Sequence, residues 1–218
     1  MRYSRSKEPV VMNKLLIIGA GGHGKVIADI ALKRNIWQEI AFLDDDDTIQ
    51  EALGLRVLGP VSQAASFVSE YDMVVAIGNH TIREKFCEQL KAAGVMLPVL
   101  VHPNATVGTQ VEIGVGTVVM AGAVINCDSK VGEGCIVNTA ATVDHDCTIE
   151  DYTHISPGAH IAGTVKIGEK CWIGIGASVV NNVNIGNGIV IGAGALVISD
   201  VMEEGTYIGI PAKKMSDL

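Results

Sequence analysis

From residue 101 to residue 201 the chain returns to an aliphatic β-branched residue every six positions without a slip. Val101, Val107, Ile113, Val119, Ile125, Val131, Val137, Val143, Ile149, Ile155, Ile161, Ile167, Ile173, Val179, Ile185, Ile191 and Val197 form that column. Four residues after each comes a second, mostly small column that includes Ala123, Ser129, Cys135, Ala141, Cys147, Thr153 and Ala177. Glycine often follows the β-branched residue directly, as at Gly108, Gly132 and Gly168. A period of six is neither helical nor the alternation of a strand, so the segment is a repeat architecture of its own. Three hexads make an 18-residue coil of a triangular solenoid. Coils stacked at the inter-strand spacing of ~4.8 Å satisfy each other's backbone groups. Val and Ile then fill the interior, and small residues and glycine turn the corners.

Ahead of the hexads the pattern changes. Leu15-Leu16-Ile17-Ile18 reads as a strand, Gly19 to Gly24 as a tight turn, and the apolar spacing of Val26, Ile27, Ile30 and Ala31 as a helix. Gly19, Gly21 and Gly24 match the G-x-G-x-x-G spacing in that context, where free backbone N–H groups and a helix N-terminus suit a phosphate. Gly21 and Gly22 are therefore candidate ligand contacts, and His23 a candidate contact to sugar or phosphate. A second strand, 40–43, ends in Asp44-Asp45, placed to grip a ribose or a base edge. A third, 73–77, leads through Gly78-Asn79-His80 into a helix over 82–93, which brings Asn79 to the carboxyl end of the sheet. This part stops near Pro98, about half of a full dinucleotide fold, so a mononucleotide or nucleotide-sugar fits better than NAD. The expected organisation is an N-terminal extension (1–13), a half-Rossmann α/β domain (14–98), the solenoid (99–201) and a C-terminal segment (202–218).

Charge and composition narrow the choice. A net charge of −8 gives no basic surface for nucleic acid, and no apolar run is long enough to span a membrane. Residues 1–11 lack an apolar signal core. Five cysteines without CxxC spacing read as buried thiols packing as small hydrophobes in a reducing cytoplasm, not as a zinc site.

Taken together, the glycine turn, Leu43-Asp44-Asp45, His102-Pro103, the hexads, Asn138-Thr139-Ala140-Ala141-Thr142-Val143-Asp144-His145-Asp146-Cys147 and Gly209-Ile210-Pro211-Ala212-Lys213 resemble one bacterial family. It is the sialic-acid O-acetyltransferase family, which includes the N-acetyltransferases of UDP-4-amino sugars. The resemblance spans residues 14–215 and implies a left-handed parallel β-helix, acetyl-CoA as donor with no metal, and a nucleotide-sugar bound by the N-terminal domain. It also implies a homotrimer with sites between subunits, and glycan biosynthesis in the cytoplasm. His145 would be the general base, Asp146 its support, and Asn138 a residue lining the site. His154, Ile175 and Ala193 would lie along the acetyl-CoA groove.

The residues themselves support part of this. His145 follows the ladder residue Val143 by two positions and so faces outward, and Gly163 lies one coil away. Glycine there leaves room beside the imidazole and exposes an N–H that suits the oxyanion of acyl transfer. Three acceptor or reaction classes stay open: the amine of a nucleotide-linked 4-amino sugar, a sialic-acid hydroxyl, and a zinc lyase needing convergence of His145, His154 and His160. Val118, Val180 and Val190 are expected on flat outer faces that packing of three prisms would bury.

Overall fold

The computed structural model describes residues 14–217; the expected extension 1–13 lies outside the described residues. The chain divides into two compact units, with the boundary between Pro103 and Asn104.

In the first unit a three-stranded parallel sheet has the central strand Lys14–Ile18, flanked by Glu39–Leu43 on one side and Asp72–Val75 on the other. Successive strands thus leave the first in opposite directions, and the crevice of such a sheet opens at the carboxyl end of that strand. The glycine turn lies there. It enters the helix Gly22–Arg34, whose last turn carries Lys33 and Arg34 and whose C-cap is a left-handed Asn35. Gly24 is obligatory: a β-carbon there would collide with the carbonyl oxygen of Gly19. The second helix, His80–Ala92, begins two residues before the expected start, because the Asn79 side chain accepts the N–H of Ile82 at 3.0 Å and caps it. A hairpin, Glu51–Ala52 with Leu55–Arg56, and a 3-10 helix, Val61–Phe67, were not expected from the sequence.

The second unit is a left-handed parallel β-helix of about six turns. Two-residue strands stack 18 residues apart in three faces, as Thr142 with His160 and Val143 with Ile161 show. In chain order the first face holds Val124–Ile125, Thr142–Val143 and His160–Ile161; the second holds Lys130–Val131, Thr148–Ile149 and Lys166–Ile167. The third holds Ile136–Val137, His154–Ile155 and Trp172–Ile173. From Ile113 to Val197 no ladder residue is more than 3% exposed. Thr206–Ile208 extends the third face past Val190–Ile191 before Lys213–Lys214 folds back antiparallel. Val180 and Val190 are half-buried, but Val118, expected on an outer face, is 2% exposed.

The small column serves different ends at different corners. Between the third and first faces it is alanine, and the corner carbonyl is satisfied within the turn, as when Ala141 N–H donates to Asn138 and Ala159 N–H to Ser156. At the other two corners the column is Val or Ile at 111, 165, 183 and 189, and elsewhere a buried hydroxyl or thiol donates to a carbonyl 15 residues ahead: Thr117 to Gly132, Thr153 to Gly168, Ser129 to Asp144, Cys135 to Glu150, Cys147 to Ala162 and Cys171 to Gly186. The same oxygens of Thr117, Ser129 and Thr153 accept the N–H groups of Cys135, Cys147 and Cys171. Three of the cysteines are therefore hydrogen-bonding members of the core and not only small hydrophobes. Burial pushes the Cys171 thiol up to about 11, which keeps it protonated as a donor.

Candidate active site

His145 and Asp146 sit on the corner between the first and second faces. Asp146 takes a left-handed conformation, φ 57°, which turns its carboxylate back toward the preceding ring. Its Oδ2 lies 2.7 Å from His145 Nδ1. Asp144 accepts the His145 N–H at 2.9 Å and the Asn126 side chain at 2.7 Å, both on Oδ1. The hydrogen-bonded Asp146 carboxylate, aided by Asp144, holds the imidazole above its usual 6.5. With Nδ1–H donating to Asp146, the neutral ring presents the Nε2 lone pair on its other side. That side lies against Gly163, where a β-carbon would come 2.7 Å from Nε2 and from Cε1. His145, Asp146 and Gly163 are thus brought together as expected from their spacing.

Asn138 and His154 belong elsewhere on the prism. Asn138 opens the corner between the third and first faces, and its Nδ2 lies 3.0 Å from His154 Nε2 on the third face. Its Oδ1 accepts the Thr139 N–H, which orients the amide. The His154 ring stacks on Trp172 at 5.8 Å and 16°, and the Trp172 indole N–H donates to Ser156 Oγ at 2.8 Å. Ile175 and Ala193 line up 18 residues apart on this same corner, both exposed, with Ile175 at 62%. Within one chain the structure keeps this patch and the His145 corner at different edges. His160 is on the first face, where its Nδ1 lies 3.0 Å from Thr142 Oγ1. Among the described residues no group of three His, Cys, Asp or Glu is placed to hold a metal ion.

In the α/β unit, Gly21 and Gly22 are exposed at the N-terminus of the first helix, which has no side-chain cap. His23 Nε2 is buried without a hydrogen-bond partner. Burial first, and the Arg83 guanidinium second, lower His23 to about 4, so the ring is neutral. Arg83 itself is 1% exposed and donates to the carbonyls of Ile77 and Gly78. Asp44 holds the glycine turn, its Oδ2 accepting Ala20 N–H at 2.6 Å and its Oδ1 accepting Asp46 N–H at 2.9 Å. Asp45 caps the 3-10 helix through Val61 N–H, and Asn79 caps the second helix. All three, expected to face ligand, have a structural task as well.

The PglD N-terminal domain family matches residues 14–90. The acetyltransferase domain of PglB from Neisseria gonorrhoeae FA1090 is 45% identical, with a TM-score of 0.90 over 93% of this chain and 100% of that domain. The chain belongs to the hexapeptide-repeat sugar N-acetyltransferases. The same Neisseria domain in complex with acetyl coenzyme A resembles this acetyltransferase at a TM-score of 0.91. A single-site mutant of perosamine N-acetyltransferase from Caulobacter crescentus, solved with CoA and GDP-perosamine, is 35% identical over 92% of this chain and 96% of its own, with a TM-score of 0.88. UDP-N-acetylbacillosamine N-acetyltransferase from Bacillus subtilis (strain 168) is 36% identical over 113 residues, a match to 50% of this acetyltransferase and 52% of that protein.

Three residues in contact with these groups were missed by sequence reasoning. Asp144 had a signal, since Asn126 stands 18 residues before it and the two side chains bond across coils. Ser156, two residues before the turn Gly158, gave none. Arg83 fell inside the expected helix over 82–93 and was given no role.

Proposed function

We propose that this chain moves acetyl from acetyl-CoA to the amine of a nucleotide-linked 4-amino sugar, with His145 as general base. The observation that carries the reading is the imidazole held by Asp146 at Nδ1 with Nε2 over Gly163. The amine nitrogen attacks the thioester carbonyl carbon while its proton passes to Nε2. The C=O electron pair moves onto oxygen, and the Gly163 N–H stabilises that oxyanion. Collapse re-forms the carbonyl and breaks the C–S bond, and the departing thiolate takes the proton from the imidazolium. No covalent enzyme intermediate is needed. The Bacillus and Caulobacter relatives are named for amino-sugar substrates, which supports an amine over a sugar hydroxyl as acceptor.

The α/β unit supplies the nucleotide-sugar site through Gly21, Gly22, His23, Asp44, Asp45 and Asn79. His154, Ile175 and Ala193, with Asn138 beside them, line the acetyl-CoA groove. Because the His145 corner and the His154 patch occupy different edges of one prism, a working site combines the two from neighbouring subunits of a homotrimer. Both substrates are metabolites of the cytoplasm, where the reaction then takes place.

Thiol release from acetyl-CoA, followed with UDP-, GDP- and dTDP-linked 4-amino sugars, tests the reading. Turnover with one of them, reduced ~100-fold or more in His145→Ala, is the expected result. Acetylation of sialic acid alone would replace the amine with a hydroxyl acceptor.

A further inference from the structure

The corner that carries the reacting groups is held from inside the prism. Ser129 Oγ donates to the Asp144 carbonyl at 2.7 Å and accepts the Cys147 N–H at 3.1 Å, and Cys147 Sγ donates to the Ala162 carbonyl at 3.2 Å. Those carbonyls belong to the peptide units that supply the N–H groups of His145 and Gly163. In a trans peptide C=O and N–H point in opposite directions, and both of these peptides are trans. A carbonyl drawn into the core therefore sends its N–H outward. At His145 this outcome is visible, because the outward N–H meets Asp144 Oδ1. Glu133 and Glu169 repeat it: their preceding carbonyls are held by Thr117 and Thr153, and their N–H groups reach Asp151 and Asn187 one coil on.

Gly163 differs at one point. The residue one coil on is Asn181, the same residue type that serves Glu169 through Asn187; both asparagines are exposed, yet the Asn181 amide does not bond to the glycine. No described residue accepts the Gly163 N–H. We infer that Cys147 is a positioning residue for acyl transfer, its buried thiol fixing the Ala162–Gly163 peptide so that the Gly163 N–H faces the carbonyl oxygen that gains charge. This rests on the reaction proposed above. An N–H aimed before the substrate arrives stabilises the oxyanion without reorganising, which is where such donors gain their effect. Burial pushes the Cys147 thiol up, consistent with a donor that stays protonated.

The solenoid supplies its own controls. Cys147 shares a column with Ser129 one coil before and Val165 one coil after, both buried, so serine and valine each fit there. Cys147→Ser keeps a donor and Cys147→Val removes it, with a larger side chain of the kind the column already holds at Val165. Cys135→Val removes an equivalent 3.2 Å bond, to Glu150, at the corner between the second and third faces. The expected result is a kcat lowered roughly 10- to 100-fold in Cys147→Val, with both KM values within about twofold, and recovery in Cys147→Ser. Cys135→Val and Asn181→Ala retain the parent kcat. Wild-type kcat in Cys147→Val, or equal losses in the three cysteine variants, would overturn the inference. So would a loss in Asn181→Ala as large as that in Cys147→Val, because the amide and not the thiol would then govern this N–H. A second readout needs no turnover: with glycine-selective 15N labelling, the Gly163 amide resonance moves in Cys147→Val and returns in Cys147→Ser. An unmoved resonance overturns the positioning role even if the amino-sugar reaction stands. A moved one upholds the orientation even if the acceptor proves to be a different sugar.

Discussion

His145 lies so close over Gly163 that a β-carbon on the glycine would meet the imidazole 2.7 Å from both Cε1 and Nε2. The contact joins two coils. It places a proton acceptor and a backbone N–H on one small patch of the corner, with the carboxylate of Asp146 behind the ring. Neither the fold nor the ladder requires it, since Gly163 does not have a positive φ and other corners carry alanine, valine or asparagine side chains.

Gly163→Ala should separate activity from stability. The clash is with the end of an exposed side chain that can swing aside, so unfolding free energy should change by no more than about 1 kcal/mol. Moving the imidazole by an ångström or more should lower kcat on the order of 100-fold. Denaturant unfolding and thiol release on the same preparation check both. Retained activity would mean that the ring position seen here is not the one used in catalysis.

The pH dependence follows from the carboxylate behind His145. Asp146 raises the imidazole above 6.5, and the base acts only when neutral, so kcat should rise with pH and level off above that raised value. Asp146→Asn removes the charge that favours the imidazolium. The rising limb should then move to lower pH, while the plateau falls by about tenfold or more, because an amide no longer fixes the Nδ1–H tautomer as firmly. A pH profile of kcat for both proteins checks the direction. An unmoved limb would uncouple Asp146 from the base.

Much of this arrangement was legible in the sequence, for a definable reason. A six-residue period leaves no freedom in which residues stack, so the pairing of His145 with Gly163 and of His154 with Trp172 follows from adding 18. What the period does not reveal is how corner carbonyls are satisfied. The alternation of alanine with Thr, Ser and Cys in the small column is plain in the sequence, but its meaning depends on which corners close on their own N–H groups. In the α/β unit, the hairpin has two-residue strands with no period to read. Its turn residues Leu53 and Gly54 are left-handed, φ 53° and 73°, and only the glycine was a signal. Arg83 was obscured by its charge: it is buried because its guanidinium binds the carbonyls of Ile77 and Gly78.

The interior bonds can be weighed directly. Thr153→Val conserves shape but leaves the Gly168 carbonyl without its donor and the Cys171 N–H without its acceptor, both in the core. Two buried backbone groups losing partners should cost about 2 to 4 kcal/mol. Urea unfolding of the assembled protein at fixed concentration measures it. A loss below about 0.5 kcal/mol would mean that water replaces the hydroxyl.

Asp44 tests how the nucleotide-sugar end is built. Its two oxygens hold Ala20 and Asp46, so Asp44→Ala should loosen the glycine turn. The KM for nucleotide-sugar should rise about tenfold or more, with the KM for acetyl-CoA nearly unchanged. Equal effects on both substrates would point to general unfolding of the unit.

Subunit-shared sites make a sharper prediction than loss of activity. His145→Ala should disable one edge of the prism, and His154→Ala, which removes the ring stacked on Trp172, the other. If each site pairs the His145 corner of one chain with the His154 patch of its neighbour, trimers co-assembled from the two inactive variants contain some sites with both edges intact. A mixed cyclic trimer holds two copies of one variant and one of the other, so about one third of its sites are restored. Co-expression with two different affinity tags, sequential purification and thiol release then measure the recovery. Activity near that fraction places the reaction between chains, because no single polypeptide in the mixture carries both histidines. Mixed trimers as inactive as either parent would confine the site to one chain, and the separation of the two patches along the prism would then need a different explanation.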